Sequence, residues 1–65
     1  MNKDILAGKW KQVKGEVKRQ WGDLTNDEID QVEGQYEKMV GLLQEHYGYA
    51  RQRAEREVDA FLAQY

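Results

Sequence analysis

The sequence predicts an all-α fold, a small bundle of four to five short helices built around an internal duplication. Three observations lead there. Apolar residues recur at steps of three and four, and no window alternates with period two as a half-buried strand would. Capping residues and glycines punctuate the chain at helix-length intervals, while proline is absent. Residues 4–22 are also copied, at an offset of 26, in residues 30–48. Asp4, Gly8, Gly15 and Gly22 fall on Asp30, Gly34, Gly41 and Gly48. Between them, Leu6, Trp10, Val13, Val17 and Trp21 fall on Val32, Tyr36, Met39, Leu43 and Tyr47.

Each element follows from local chemistry. Asn2 is the expected N-cap of a short first helix, roughly residues 3–7. Trp10, Val13, Val17 and Trp21 then lie within about 80° of helical arc, a narrow apolar stripe on a helix over 9–21. Gly22 is expected to stop that helix as a C′ residue, with Asp23-Leu24 in the turn. Thr25 and Glu28 have the spacing of a capping box, and three acids, Asp27, Glu28 and Asp30, fall among the five residues that follow Thr25. Ile29 and Val32 give that helix its buried edge, and Gly34 ends or bends it. The next helix, about 35–47, carries Tyr36, Met39, Val40, Leu43 and Tyr47 on one side, with Leu42 widening the stripe. Being the most apolar element, it is expected at the centre, and Gly48 ends it. The last helix, about 50–64, spaces Ala50, Ala54, Val58, Phe61, Leu62 and Tyr65 by fours and threes. Arg51/Glu55 and Arg53/Glu57 are i, i+4 pairs on its outer face. The predicted core is therefore Trp10, Val13, Val17, Trp21, Ile29, Val32, Tyr36, Met39, Val40, Leu43, Tyr47, Val58, Phe61 and Leu62.

Gly15 and Gly41 fall inside helices, where glycine costs about 1 kcal/mol relative to alanine. Both lie well off the aromatic stripe. Close approach of another backbone, a local bend, or tolerance on a solvated face would each account for them. Repetition of the cost in both units favours the first two readings.

The copying stops at the surface. Lys11 becomes Glu37, Arg19 becomes Glu45, and Lys14 becomes Val40. The net charge of −2 therefore hides a segregation. Residues 1–22 carry six Lys/Arg against two acids, and residues 23–48 carry one Lys against seven. Such asymmetry marks either a nucleic-acid face or two halves that attract each other in the fold, and the second is favoured.

The 65 residues make one domain, 1–65, with repeat units at about 4–22 and 30–48 and a C-terminal helix at about 50–64. A chain this short is marginal without help, and the absence of Cys removes disulfides and Cys-based metal sites. Mean hydropathy of −0.98 borders on the disordered class, but the phased apolar stripes argue for a fold. No charged-then-apolar leader and no apolar run near 18 residues is present, so secretion and membrane spanning are not expected.

Candidate chemistry is sparse. His46 is the single histidine, serine is absent, and Thr25 is already committed as a cap. His46 with Glu45 or Glu37 has no recognised metal-ligand spacing, and neighbouring positions on a helix diverge. The glycines stand seven apart, unlike phosphate-binding loops. An enzyme, a cofactor and a metal are therefore not expected. Lys11, Lys14 and Lys18 share one helical stripe beside Trp10 and Trp21, and form the candidate contact for nucleic acid or a protein partner. A pI near 5.3 weighs against nucleic acid. The same amphipathic segment could lie on a membrane surface, but its tryptophans are more simply explained as core. Self-association through a helical face is a further partner reading.

The segments Asn2-Lys3-Asp4, Gly8-Lys9-Trp10-Lys11-Gln12-Val13-Lys14-Gly15-Glu16-Val17-Lys18 and Gln20-Trp21-Gly22-Asp23-Leu24-Thr25 resemble the CsbD-like family of small bacterial general-stress proteins. Val32-Glu33-Gly34, Val40-Gly41, Tyr47-Gly48-Tyr49 and Ala54-Glu55-Arg56-Glu57-Val58 fit its longer members. The resemblance implies a bundle of two helical hairpins packed roughly orthogonally. It implies a hydrophilic cytoplasmic protein that accumulates in stationary-phase, osmotic or desiccation stress. Together with the polar composition and the lack of a catalytic set, this leads to the expectation of a non-enzymatic protein that protects or contacts client macromolecules. The resemblance supplies no catalytic or ligand residues. High glycine and low hydropathy also resemble the hydrophilin group, although the phased final helix predicts a folded chain.

Overall fold

The computed structural model describes residues 2–65. Five helices follow in order: α1 (Asn2–Gly8), α2 (Trp10–Gln20), α3 (Asn26–Val32), α4 (Tyr36–Tyr47) and α5 (Arg51–Leu62). No strand occurs among the described residues. Asn2 is the first helical residue of α1, so it does not cap that helix as expected.

The duplicated sequence folds as two helix-turn-helix units, α1–α2 and α3–α4. Their pairings are reciprocal: α1 packs on α4 of the other unit, and α3 packs on α2. Helix α5 has no counterpart in the repeat. It lies against α4 and α1. Helix α4 thus touches α1, α3 and α5 and holds the centre, as its apolar composition predicts.

One continuous core joins the units. Val13 and Val17 of α2, Ile29 and Val32 of α3, Met39, Val40 and Leu43 of α4, and Ala54, Val58, Phe61 and Leu62 of α5 are buried. Trp21 and Tyr36 are buried with them. Leu6, Leu24 and Ala54 complete the core and were not in the predicted set. Leu24 sits in the α2–α3 turn, where no periodicity can reveal it. Trp10 and Tyr47 are corrections in the other direction, since each is only partly buried against the core. Both sit at an end of their helix. The Tyr47 hydroxyl reaches the loop and accepts from the Asp23 N–H at 3.3 Å, while its ring stacks on Tyr49 at 5.5 Å.

Helix ends explain the turns. At α3 the capping box forms in full. Glu28 N–H donates to Thr25 Oγ1 at 3.1 Å, and Thr25 N–H donates to Glu28 Oε1 at 3.0 Å. Gly48 closes α4 in the left-handed region (φ 70°), its N–H bonded to the Gln44 carbonyl. Gly22 does not do the same for α2. The helix ends at Gln20 and Trp21 is the C-cap with φ −128°, so no left-handed glycine closes it. Instead Lys18 folds over the turn and donates to the Gly22 carbonyl at 3.2 Å and to that of Leu24.

Gly34 is where glycine is required. Its φ is +77°, following Glu33 at +51°. A Cβ there would come within 3.0 Å of the Ala7 Cα and 3.3 Å of the Trp10 Cβ. The α3–α4 turn is thus pressed onto the equivalent turn of the other unit. Gly15 and Gly41 correct the sequence reading, because a Cβ at either would meet nothing within 4 Å. Both face solvent, so close backbone approach does not account for them.

The radius of gyration is 10.4 Å. A folded chain of this length is expected near ~11 Å and an unfolded one at roughly 24 Å. The polar composition has therefore not prevented a close-packed domain.

Candidate functional site

The lysine stripe of α2 is divided by the fold. Lys14 forms an ion pair with Asp30 of α3. Lys18 is occupied with the carbonyls of the following turn. Lys11 remains exposed near the start of α2, in a hollow shared with Lys9, Trp10 and Glu33. Trp10 and Trp21 face the core side, and Trp21 packs on Phe61 with ring centroids 5.1 Å apart. The three lysines therefore do not form a free row beside exposed aromatic rings.

Attraction between the halves is visible instead. Lys14–Asp30 joins the basic unit to the acidic one, and Lys3–Glu37, at 3.8 Å, does so from α1 to α4. Glu37 also pairs with Arg51, which in turn bonds Glu55 at 3.1 Å. The Arg51 hydrogen bond is the main reason the Glu37 carboxyl is held below the usual carboxylate range. Across the same α4–α5 seam, the Tyr36 hydroxyl donates to Asp59 Oδ1 at 2.8 Å. Burial, reinforced by that carboxylate, pushes the Tyr36 phenol well above its ordinary pKa.

The densest polar cluster lies where the start of α3 meets the end of α4. Glu28 Oε1 is committed to the cap of α3, and its Oε2 lies 2.9 Å from His46 Nε2. With its proton on Nε2, the imidazole donates. The Thr25 backbone bond, followed by His46, holds the Glu28 carboxyl below its ordinary range. Glu45 belongs to the same group: one ligand atom from each of Glu28, Glu45 and His46 lies within 4.8 Å of the others. Sequence spacing missed this cluster. His46 and Glu28 are 18 residues apart, and only the hairpin register joins them. The signal available was the capping box itself, which places Glu28 at the start of α3, beside the end of an antiparallel α4. Divergence of Glu45 from His46 along the helix proves no obstacle, because Glu28 enters from the neighbouring helix.

Among the described residues, no helix is long and apolar enough to cross a membrane. Next to the α3–α4 cluster lies an open surface hollow of about 350 Å³, lined by Glu28, Val32, Lys38, Gly41, Leu42 and Glu45 among others.

Comparison with known proteins adds a family. A family model described as CsbD-like matches residues 4–56. A UPF0337 protein of Pseudomonas aeruginosa is 51% identical over 61 residues, covering 94% of this chain and 94% of its own. A UPF0337 protein of Bordetella pertussis is 52% identical over 61 residues, 94% of this chain and 92% of that one. The UPF0337 protein YjbJ of Escherichia coli K12 is 53% identical over 58 residues, 89% of this chain and 84% of its own. No solved structure matches.

Proposed function

The chain belongs to the CsbD-like family, a general stress-response family, and from that membership we propose that it protects other macromolecules during osmotic, desiccation or stationary-phase stress, without catalysing a reaction. Family membership is the observation that carries this reading. The physical character of the molecule supports it. A third of the residues are charged, in both signs, and they lie over a core that contains no buried polar or charged residue among those described. A mixed-sign shell of this kind keeps a protein dispersed at high concentration and holds water at its surface. The six glycines and low hydropathy fit the same purpose. The protein would act in the cytoplasm, as a monomer or a weakly associating one.

Deletion of the gene tests the proposal. Cells lacking it should survive drying, osmotic shock or prolonged starvation less well than the parent, and a plasmid copy should restore survival. Unchanged survival under all three would remove the protective reading. Nucleic-acid binding through Lys11, Lys14 and Lys18 gains no support, because two of the three are engaged within the fold.

A further inference from the structure

The cluster at the α3–α4 junction has a use that the stress-protective reading does not require. We propose that Glu28, Glu45 and His46 form a binding site for one borderline divalent cation, with Zn²⁺ as its type.

The donor set supports this first. One imidazole and two carboxylates come from two helices, with their ligand atoms within 4.8 Å of one another. Imidazole mixed with carboxylate suits Zn²⁺, Ni²⁺ and Cu²⁺, whereas Mg²⁺ and Ca²⁺ prefer oxygen alone. Spacing is the second support. Two ligands at ordinary zinc bond lengths stand about 3.3 Å apart in a tetrahedral site. Glu28 Oε2 and His46 Nε2 are 2.9 Å apart, so with the imidazole proton carried on Nδ1 in place of Nε2 a few tenths of an ångström of opening admits the ion between them. The third ligand, Glu45, is an exposed side chain whose carboxylate already lies within 4.8 Å of both.

The third support is the surroundings. Glu28 can give Oε2 to a metal without abandoning the helix cap, because the cap uses Oε1. Its orientation is set by Thr25, as outer partners set the ligands of metal sites generally. The hollow beside the cluster gives room for the water that completes the coordination. Gly41 lies one turn before Glu45 and lines that hollow, and its missing side chain keeps the wall open. Charge also balances: two carboxylates meet a dication, with Lys38 at the rim turned to the Gln31 carbonyl.

Calorimetric titration of the folded chain with zinc chloride at neutral pH tests this, with magnesium chloride alongside. The expected result is one Zn²⁺ per chain and no saturable Mg²⁺ binding. His46→Ala and Glu45→Gln should each weaken Zn²⁺ binding about tenfold or more. Glu45→Gln is the decisive variant, since Glu45 makes no hydrogen bond or ion pair with another described residue and its loss should leave the fold intact by circular dichroism. Absence of saturable Zn²⁺ binding overturns the proposal. So does binding that both variants leave unchanged, which would place the metal elsewhere.

Discussion

Alanine at Gly34 and alanine at Gly41 should act in opposite directions. At Gly34 the backbone is left-handed and a Cβ would meet the Ala7 Cα at 3.0 Å. The left-handed conformation alone costs a non-glycine residue roughly 1–2 kcal/mol, and the contact with main chain adds to it. Gly34→Ala should therefore lower the unfolding free energy by at least that amount, seen as a lower denaturant midpoint at unchanged slope. Gly15→Ala and Gly41→Ala place a methyl group in open space on a helix, and each should raise stability by about 0.5–1 kcal/mol. A loss of stability at both helical positions would show that those glycines have a structural duty that the static geometry does not reveal. Tyr36 gives a pH signature. Its phenol is raised in the folded state, so its contribution is complete below the unfolded phenol pKa of about 10 and is lost as pH climbs beyond that value. Denaturation midpoints compared at pH 8 and pH 11 should fall further for the parent than for Tyr36→Phe. At neutral pH that substitution removes the bond to Asp59 and should cost about 1 kcal/mol.

Among the elements, the asymmetry between the two copies has a single cause. Helix α5 covers α4 and α1 but has no partner helix over α2 and α3. Val40, beneath it, is fully buried, whereas the equivalent Lys14 lies in solvent and pairs with Asp30. The one-residue change from lysine to valine in the repeat thus records which copy the last helix covers. Removing the packing of α5 should be severe. Phe61→Ala opens a gap beside Trp21 and should cost about 3–5 kcal/mol, a large part of what a domain of this size has. Cooperative unfolding of that variant at an unchanged midpoint would contradict the packing described. The helices themselves were legible, because a period near 3.6, one capping box and a left-handed Gly48 are all local signals. What escaped was tertiary. The burial of Leu24 in a turn, the approach of Gly34 to Ala7, and the meeting of Glu28 with His46 each depend on how one unit lies on the other. Lys14 and Lys18 read as a free basic row for the same reason, since their partners lie in α3 and in the following turn.

At the scale of the molecule, charge segregation sets opposite charges across the junction of the two halves. The Lys14–Asp30 and Lys3–Glu37 pairs are exposed, so each contributes little, about 0.2–1 kcal/mol at most for Lys14–Asp30. A double-mutant cycle on Lys14 and Asp30 should give a coupling in that range that shrinks with added salt. The core supplies the stability, and the surface is left free to be hydrophilic. A folded protein with this surface differs from a disordered protectant in one respect that can be measured: its protective capacity should depend on keeping its shape. The direct test dries a labile enzyme with the purified chain and with an equal mass of an unrelated folded protein, then measures activity recovered on rehydration. The chain should preserve more activity than the unrelated protein, and the destabilised Phe61→Ala variant should preserve less than the parent. Recovery no better than with the unrelated protein would contradict a protective function for the folded domain.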